Sequence, residues 1–181
     1  MSRETERIQG SMFEALFERR LKPTGAFLEA LERAGYDMAH PEPEYDPAVF
    51  TRCIEIARAH AFGAMPRREG IFRVGMELSE GFFAETIAGR VSAAALPLIG
   101  PARMIKTLSR RMRSGTTRGE VQVDELGDRR WRVTFPELNP MPEFLAGALQ
   151  AALERTGVRA RSVVRYEVKD RTEIQVEWDP A

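Results

Sequence analysis

Two histidines and one cysteine are the side chains in this chain best suited to catalysis or transition-metal binding. His40 lies beside Pro41 in an acidic loop, which favours an exposed side chain over a metal ligand. His60 falls late in a predicted helix, where the helix dipole favours a protonated imidazole. Cys53 shares an apolar helix stripe with Phe50, which predicts a buried, unreactive thiol. No nucleophile partner stands at the spacing of a known triad, so we predict that the chain is not an enzyme.

Metal binding by other residue types is also not predicted. Glu42, Glu44 and Asp46 could hold a hard cation, but their spacing is not that of an EF-hand loop and a solvated loop is favoured. One cysteine and two histidines cannot make a four-ligand site of nitrogen and sulfur. We therefore predict no metal site.

The most concentrated charge lies on one face of a predicted helix. Its four basic residues fall within roughly 80° of arc at 100° per residue, and they are Arg103, Lys106, Arg110 and Arg113. This pattern is compatible with a docking face for an acidic partner and with a simple solvent-exposed face. A net charge of zero makes nucleic acid an unfavoured partner.

A set of aromatic residues could line an apolar pocket between helices and strands. Gly75, Gly81 and Gly147 would allow a backbone or a ligand to approach closely. The alternative is that the same aromatic residues form an ordinary packed core. The candidate ligand-binding residues are Phe72, Phe82, Phe83, Trp131, Phe135, Phe144 and Tyr166.

Composition places these candidates in an ordinary globular chain. The 181 residues include 43% hydrophobic and 30% charged residues, and the 27 basic residues balance the 27 acidic ones. The hydrophobic content excludes a disordered chain, and the single cysteine excludes a disulfide scaffold. The length predicts one domain over 1–181. The charged start lacks a signal-like core and the longest apolar stretch is too short to span a bilayer, so we expect a cytoplasmic protein.

The part from 11 to 113 is predicted to be mainly helical, because its apolar residues recur at helical spacing. Asp46 and Pro47 read as an N-cap followed by a first-turn proline. Gly100 and Pro101 separate two helices, and the prolines at 41 and 43 indicate an irregular loop. The predicted helices cover 11–21, 24–34, a segment after Pro47, a segment after Pro66, 89–98 and 101–112.

The part from 119 to 179 changes to a period of two, which predicts a hairpin, a helix from Pro142, and a second hairpin. The apolar residues of the first hairpin share a face only if the numbers of two paired residues add up to an even value. This condition predicts a turn with an odd number of residues, centred near Gly127. We predict an α+β fold in which an N-terminal helical layer packs on one face of a four-stranded antiparallel sheet, the C-terminal β-β-α-β-β unit.

Several short motifs resemble an uncharacterised domain family that is expanded in myxobacteria. They are Gly10-Ser11-Met12-Phe13, the segment from Gly75 to Phe82, and Leu98-Ile99-Gly100-Pro101 followed by Ser114-Gly115-Thr116. The helix and hairpin from Pro142 to Trp178 are similar, more distantly, to the 4-vinyl reductase and haem–nitric-oxide-binding superfamily. That resemblance implies a small hydrophobic ligand or haem between sheet and helices, or a homodimer used for assembly.

The resemblance does not extend to the cofactor signatures of that superfamily. Zinc-binding members carry cysteines near the last hairpin, where this chain has none, and haem-binding members carry Tyr-x-Ser-x-Arg. None of Tyr36, Tyr45 and Tyr166 begins such a motif. We therefore predict no cofactor, neither haem nor zinc.

Together these observations predict a non-enzymatic sensory or ligand-binding domain with an apolar pocket for an unidentified ligand. The alternative prediction is a protein-interaction or homodimerisation module that uses the basic helix face. Neither prediction involves a membrane.

Overall fold

The computed structural model describes residues 7–112, 121–135, 141–166 and 170–179. The helices are α1 (Gly10–Phe13), which continues as a π-helix (Glu14–Leu21), then α2 (Ala26–Ala34), α3 (Pro47–Ala61), α4 (Arg67–Glu85), α5 (Ile87–Met112) and α6 (Pro142–Glu154). The strands are β1 (Ile8–Gln9), β2 (Glu44–Tyr45), β3 (Gln122–Gly127), β4 (Arg130–Phe135), β5 (Ala160–Arg165) and β6 (Thr172–Trp178).

The four C-terminal strands form one antiparallel sheet in the order β3-β4-β6-β5. Its inner face buries the alternating residues Trp131, Val133 and Phe135 of β4 together with Ile174 and Val176 of β6. Helices α5 and α6 pack against the sheet, and α4 packs across α6. The predicted α+β fold, with helices on one face of a four-stranded antiparallel sheet, is confirmed.

Local signals in the sequence account for several helix boundaries. The Asp46 side chain accepts a hydrogen bond from the Ala48 amide at 2.7 Å, and Pro47 occupies the first turn of α3. Gly100 has φ 71° and ψ 168°, so α5 is two helical segments joined at a break, as predicted. A non-glycine residue would be strained at that φ.

Two local features differ from the sequence-based predictions. The first predicted helix is α-helical only over Gly10–Phe13 and then widens into the π-helix. The loop at 36–45 ends in β2, which pairs with β1 through Ile8 and Tyr45. Two-residue strands are too short to produce a detectable periodicity, and their pairing joins segments that are distant in the chain.

In the β3–β4 hairpin the numbers of paired residues add up to an even value, as predicted, but the turn does not have the predicted odd number of residues. Val123 pairs with Val133 and Glu125 pairs with Trp131. The turn itself has two residues, Asp128 and Arg129, and the extra residue lies in a bulge between Glu125 and Gly127. The bulge adds one residue to β3, which compensates for the even number of residues in the turn. The apolar side chains of both strands therefore stay on one face.

The described residues form two apolar clusters, and α4 and α6 contribute to both. The N-terminal cluster is built on aromatic rings around Phe13, whose ring centroid lies 4.3 Å from that of Tyr45 and 4.8 Å from that of Tyr36. The second cluster lies beneath the sheet. Ile71 and Val74 of α4 belong to the first cluster, while Phe72 on the same helix packs against the second.

Glycines allow α4 and α6 to touch backbone to backbone. A Cβ atom added at Gly75 would lie 2.0 Å from the Phe144 carbonyl oxygen. A Cβ added at Gly147 would lie 1.9 Å from the Phe72 carbonyl oxygen. Real Cβ atoms cannot approach an oxygen so closely, so the two helices cross at a distance that only paired glycines permit.

No single helix in the described ranges is long and apolar enough to cross a membrane. By length and composition alone, one bent pair meets the requirement, Arg67–Ala84 with Gly89–Thr107, and its two helices meet at 100°.

The glycine crossing generates a stability prediction. Substituting Gly75 or Gly147 by Ala should lower the free energy of unfolding by about 1–3 kcal/mol, because the added methyl group forces the helices apart. The loss is expected although alanine is the better helix former by roughly 1 kcal/mol. Urea unfolding measures it. The matched control is Gly127→Ala, since nothing lies within 4 Å of a Cβ at Gly127. Equal stability of all three variants would contradict the crossing.

Candidate functional site

An apolar cavity of about 340 Å³ lies between the N-terminal helical region and the helices that cover the sheet. This volume is within the range of small-molecule sites, roughly 300–1,000 Å³. Four segments form its wall: α1 with the π-helix, α4, α5 and α6. The described lining residues are Met12, Ala15, Leu78, Ser79, Phe82, Phe83, Met104, Thr107, Ala148 and Ala152.

Small side chains leave this space unfilled. Ala148 and Ala152 stand one helical turn apart on α6, so both face the cavity with only a methyl group. Ala15 contributes another methyl group from the π-helix. The hydroxyl groups of the wall belong to Ser79 and Thr107, and the Thr107 hydroxyl donates to the Met104 carbonyl oxygen at 2.8 Å. The described wall is therefore mostly hydrocarbon with two thioether sulfurs.

Contacts on both sides of the cavity hold its wall in place. A Cβ atom at Gly81 would lie 2.1 Å from the Ala15 carbonyl oxygen, so the π-helix presses against α4. Arg20 adds an ion pair to Glu77, with Nη2 2.7 Å from Oε2. Nearer the end of α6, Arg155 pairs with Glu80 of α4. These contacts join the wall segments without any ligand, as expected of a pre-formed site.

The predicted aromatic residues are spread over three environments. Phe82 and Phe83 line the cavity, their rings edge to face at 5.4 Å, and Phe82 is 39% exposed. Trp131 and Phe135 are buried beneath the sheet, and Phe144 belongs to the N-terminal cluster. Phe72 packs against the cluster under the sheet. Only the first pair is thus found in the described wall, and ligand contact by any of the set stays a prediction.

Tyr166 is held in a polar cluster instead. Its hydroxyl donates to Glu143 Oε1 at 2.5 Å, and the guanidinium carbon of Arg68 lies 4.3 Å from its ring centroid. Arg68 Nε is also 3.5 Å from Glu143 Oε1. Burial, followed by the hydrogen bond to Glu143, raises the pKa of Tyr166 to about 12. The cluster joins the starts of α4 and α6 to the end of β5.

The histidines and the cysteine lie away from the cavity wall. His40 is exposed and its Nδ1 is 3.0 Å from Asp37 Oδ2, a contact that lowers the pKa of Asp37. The His60 ring stacks on Phe27 at 5.0 Å. Cys53 is fully buried in the N-terminal cluster. In the described part of the chain, no group of three or more His, Cys, Asp or Glu side chains could hold a metal ion.

The predicted basic face lies only partly within the described residues. Arg103 is exposed on α5. Lys106 lies against the sheet, with Nζ 3.9 Å from Glu125 Oε2 and 5.0 Å from the Trp131 ring centroid. The side chain of Arg110 and the whole of Arg113 lie outside the described residues. A partner-binding role for this face stays a prediction.

Most of the wall was missed by sequence reasoning because its residues have no chemical signature. Met12, Leu78 and Met104 are typical core residues, and the alanines are typical of any helix. The pair Ala148 and Ala152 was a usable signal, since small residues one turn apart can mark a close contact or a space.

Comparison with solved structures shows that the fold is that of H-NOX proteins. An H-NOX protein from S. oneidensis in the Fe(II)NO ligation state matches with a TM-score of 0.71 and 12% identity, covering 96% of this chain and 100% of that one. The Fe(II) unliganded H-NOX protein from K. algicida matches with a TM-score of 0.68 and 8% identity, covering 96% and 98%. A third structure, described as modulating heme redox potential through porphyrin distortion, matches at 0.61 and 12%, covering 96% of each.

A family model also matches the chain in sequence. The model of DUF2378, described as a protein of unknown function, matches residues 6–179. No curated protein matches the chain.

These findings correct the prediction that the chain takes no cofactor. That prediction rested on the missing Tyr-x-Ser-x-Arg and cysteine motifs, whereas the similar structures are H-NOX proteins described with Fe(II) and heme. The absence of those motifs did not exclude a cofactor, because proteins that share a fold can hold a ligand through different residues.

The surroundings of Cys53 predict its reactivity. Burial raises the pKa of the thiol to about 12, so at pH 8 much less of the thiol is ionised in the folded protein than in the unfolded one. The folded protein should therefore react with DTNB far more slowly than the urea-unfolded protein. The variant Cys53→Ser gives the background. Equal rates for folded and unfolded protein would show that the thiol is accessible.

Proposed function

Because the chain belongs to the DUF2378 family and has the H-NOX fold, we propose that it is a non-enzymatic sensory domain that binds a small apolar ligand in the cavity described above. The observation that carries the proposal is the cavity of about 340 Å³ with a mostly hydrocarbon wall. The H-NOX likeness supports a sensory role, since those proteins are described in gas-ligated and unliganded states. A cytoplasmic location stays a prediction.

The position of the cavity suits a sensor because two layers share it. The π-helix lies on one side, α6 lies against the sheet, and α4 contacts both. A ligand that touches all of these segments contributes binding energy that depends on their relative arrangement. It therefore favours one arrangement over another, which is the thermodynamic requirement for a signal.

Haem is the ligand that the similar structures suggest, and the described wall suits its apolar face but offers no cation for its two propionates. Haem iron in proteins takes imidazole, thiolate, phenolate or thioether ligands. The described lining residues offer thioethers, those of Met12 and Met104, and their apolar neighbours suit a porphyrin face. Haem, when bound, supplies an iron that can take a diatomic ligand. When haem is bound, this chain's own residues would provide the apolar walls and a sulfur donor.

Filling the cavity tests the proposal. Ala152→Leu places three additional carbons in the space between α4 and α6, so it should abolish binding of added haem and of an apolar fluorescent dye. Its stability should be unchanged or higher, because the leucine fills a void instead of displacing neighbours. Absorbance and fluorescence titrations measure binding, and thermal unfolding measures stability.

The matched control is Ala59→Leu, the same substitution at an exposed position of α3. It should bind both probes as the original chain does. The proposal fails if the original chain binds neither probe, or if Ala152→Leu binds both with unchanged affinity while remaining folded.

The sulfur of Met104 can be tested separately. Met104→Leu conserves volume and removes the thioether, with an expected stability cost below about 1.5 kcal/mol. It should shift the absorption spectrum of the haem-loaded protein and leave dye binding unchanged. An identical haem spectrum in the variant would show that this sulfur is not a ligand, and would leave the apolar pocket standing.

A further inference from the structure

The surface groove at the turn end of the sheet is lined by arginines from two separate segments. Arg129 lies in the β3–β4 turn and Arg130 begins β4, while Arg159 precedes β5 and Arg161 is its second residue. The groove has a volume of about 700 Å³, and Ala160 and Trp178, both buried, contribute to its lining. It lies apart from the apolar cavity, with which it shares no described lining residue.

The groove contains more arginines than carboxylates, and strand pairing brings a single carboxylate next to two of them. Glu177 is the cross-strand neighbour of both Arg130 and Arg161. Its carboxylate reaches only Arg161, with Oε1 3.8 Å from Nη1. In the described part of the chain, Arg129, Arg130 and Arg159 have no carboxylate within ion-pair distance, although Asp128 and Asp179 also border the groove.

Main-chain hydrogen bonds fix the backbone that carries two of these arginines. The Trp178 amide donates to the Arg129 carbonyl oxygen at 3.2 Å, and the Asp179 amide donates to the Arg159 carbonyl oxygen at 3.0 Å. These bonds attach both arginine-bearing segments to the end of β6. The guanidinium group is itself planar and rigid, so an arginine loses less entropy per hydrogen bond formed than a lysine does.

We propose that this groove binds an acidic segment of a partner protein, with Arg129, Arg130 and Arg159 holding its carboxylates. Guanidinium groups form bidentate hydrogen bonds with carboxylates. An open groove with apolar atoms in its lining can also take the side chains between the acids. The net charge of zero for the whole chain disfavours nucleic acid, whose binding needs a broad excess of positive charge.

The probe is a fluorescently labelled peptide of alternating Glu and Ala, compared with a peptide carrying Gln at each Glu. Anisotropy at low salt should show binding at least about tenfold tighter for the Glu peptide, and the difference should shrink as salt is added. The triple variant Arg129→Gln, Arg130→Gln, Arg159→Gln should remove the preference. Equal affinity of the two peptides for the original chain overturns the proposal.

A control triple removes the same charge elsewhere: Arg7→Gln, Arg33→Gln and Arg90→Gln, all at exposed positions. It should retain the preference for the Glu peptide, and losing that preference would overturn the proposal. Glu177→Gln should bind the Glu peptide more tightly, by roughly a factor of two to five, because it frees Arg161. That gain cannot arise from unfolding, and weaker binding would contradict the assignment.

A single-stranded oligonucleotide and inorganic phosphate distinguish the other sources of negative charge. The proposal expects the Glu peptide to outcompete both at equal charge concentration. Binding of the oligonucleotide alone, lost in the groove triple, would identify a phosphate site and overturn the acidic-peptide assignment.

Discussion

The close crossing of α4 and α6 at Gly75 and Gly147 is the constraint on which the rest of the structure depends. Each glycine lies against a carbonyl oxygen of the opposite helix, at separations that leave no room for a Cβ atom. The crossing sets the distance between the N-terminal helices, which pack on α4, and the sheet, which packs on α6. Any side chain at either position would separate the two layers and alter everything between them.

The cavity is a consequence of this arrangement and of the residues beyond the crossing. Past Gly147, α6 presents Ala148 and Ala152, while α4 presents Leu78 and Phe82. Helices that touch at one point and cross at an angle diverge away from it, and side chains normally fill the widening space. Here the methyl groups of α6 are too small to do so. The ion pair between Glu80 and Arg155 then ties the two helices again farther along.

The H-NOX fold and the residues of the cavity carry different information about function. The fold is shared over nearly the full length at 8–12% identity, so it reflects how the layers pack more than which atoms they present. The ligand of the proposed site would depend on its wall, where the described residues offer thioethers and hydroxyls. The two histidines lie away from the wall, His40 beside Asp37 and His60 stacked on Phe27. Cys53 is buried in the N-terminal cluster. The proposed sensory role and the proposed ligand therefore rest on separate observations.

The sequence by itself determined the features that arise from neighbouring residues. Alternation through Trp131, Val133 and Phe135 defined a one-sided sheet, Asp46 and Pro47 defined a helix start, and Gly100 defined a break. Tertiary structure alone decided the glycine crossing, the cavity and the arginine groove, because each joins residues far apart in the chain. An alanine or an arginine has the same local signal whether it faces a void, a neighbour or water. Only the packing of the layers assigns it to one of these surroundings.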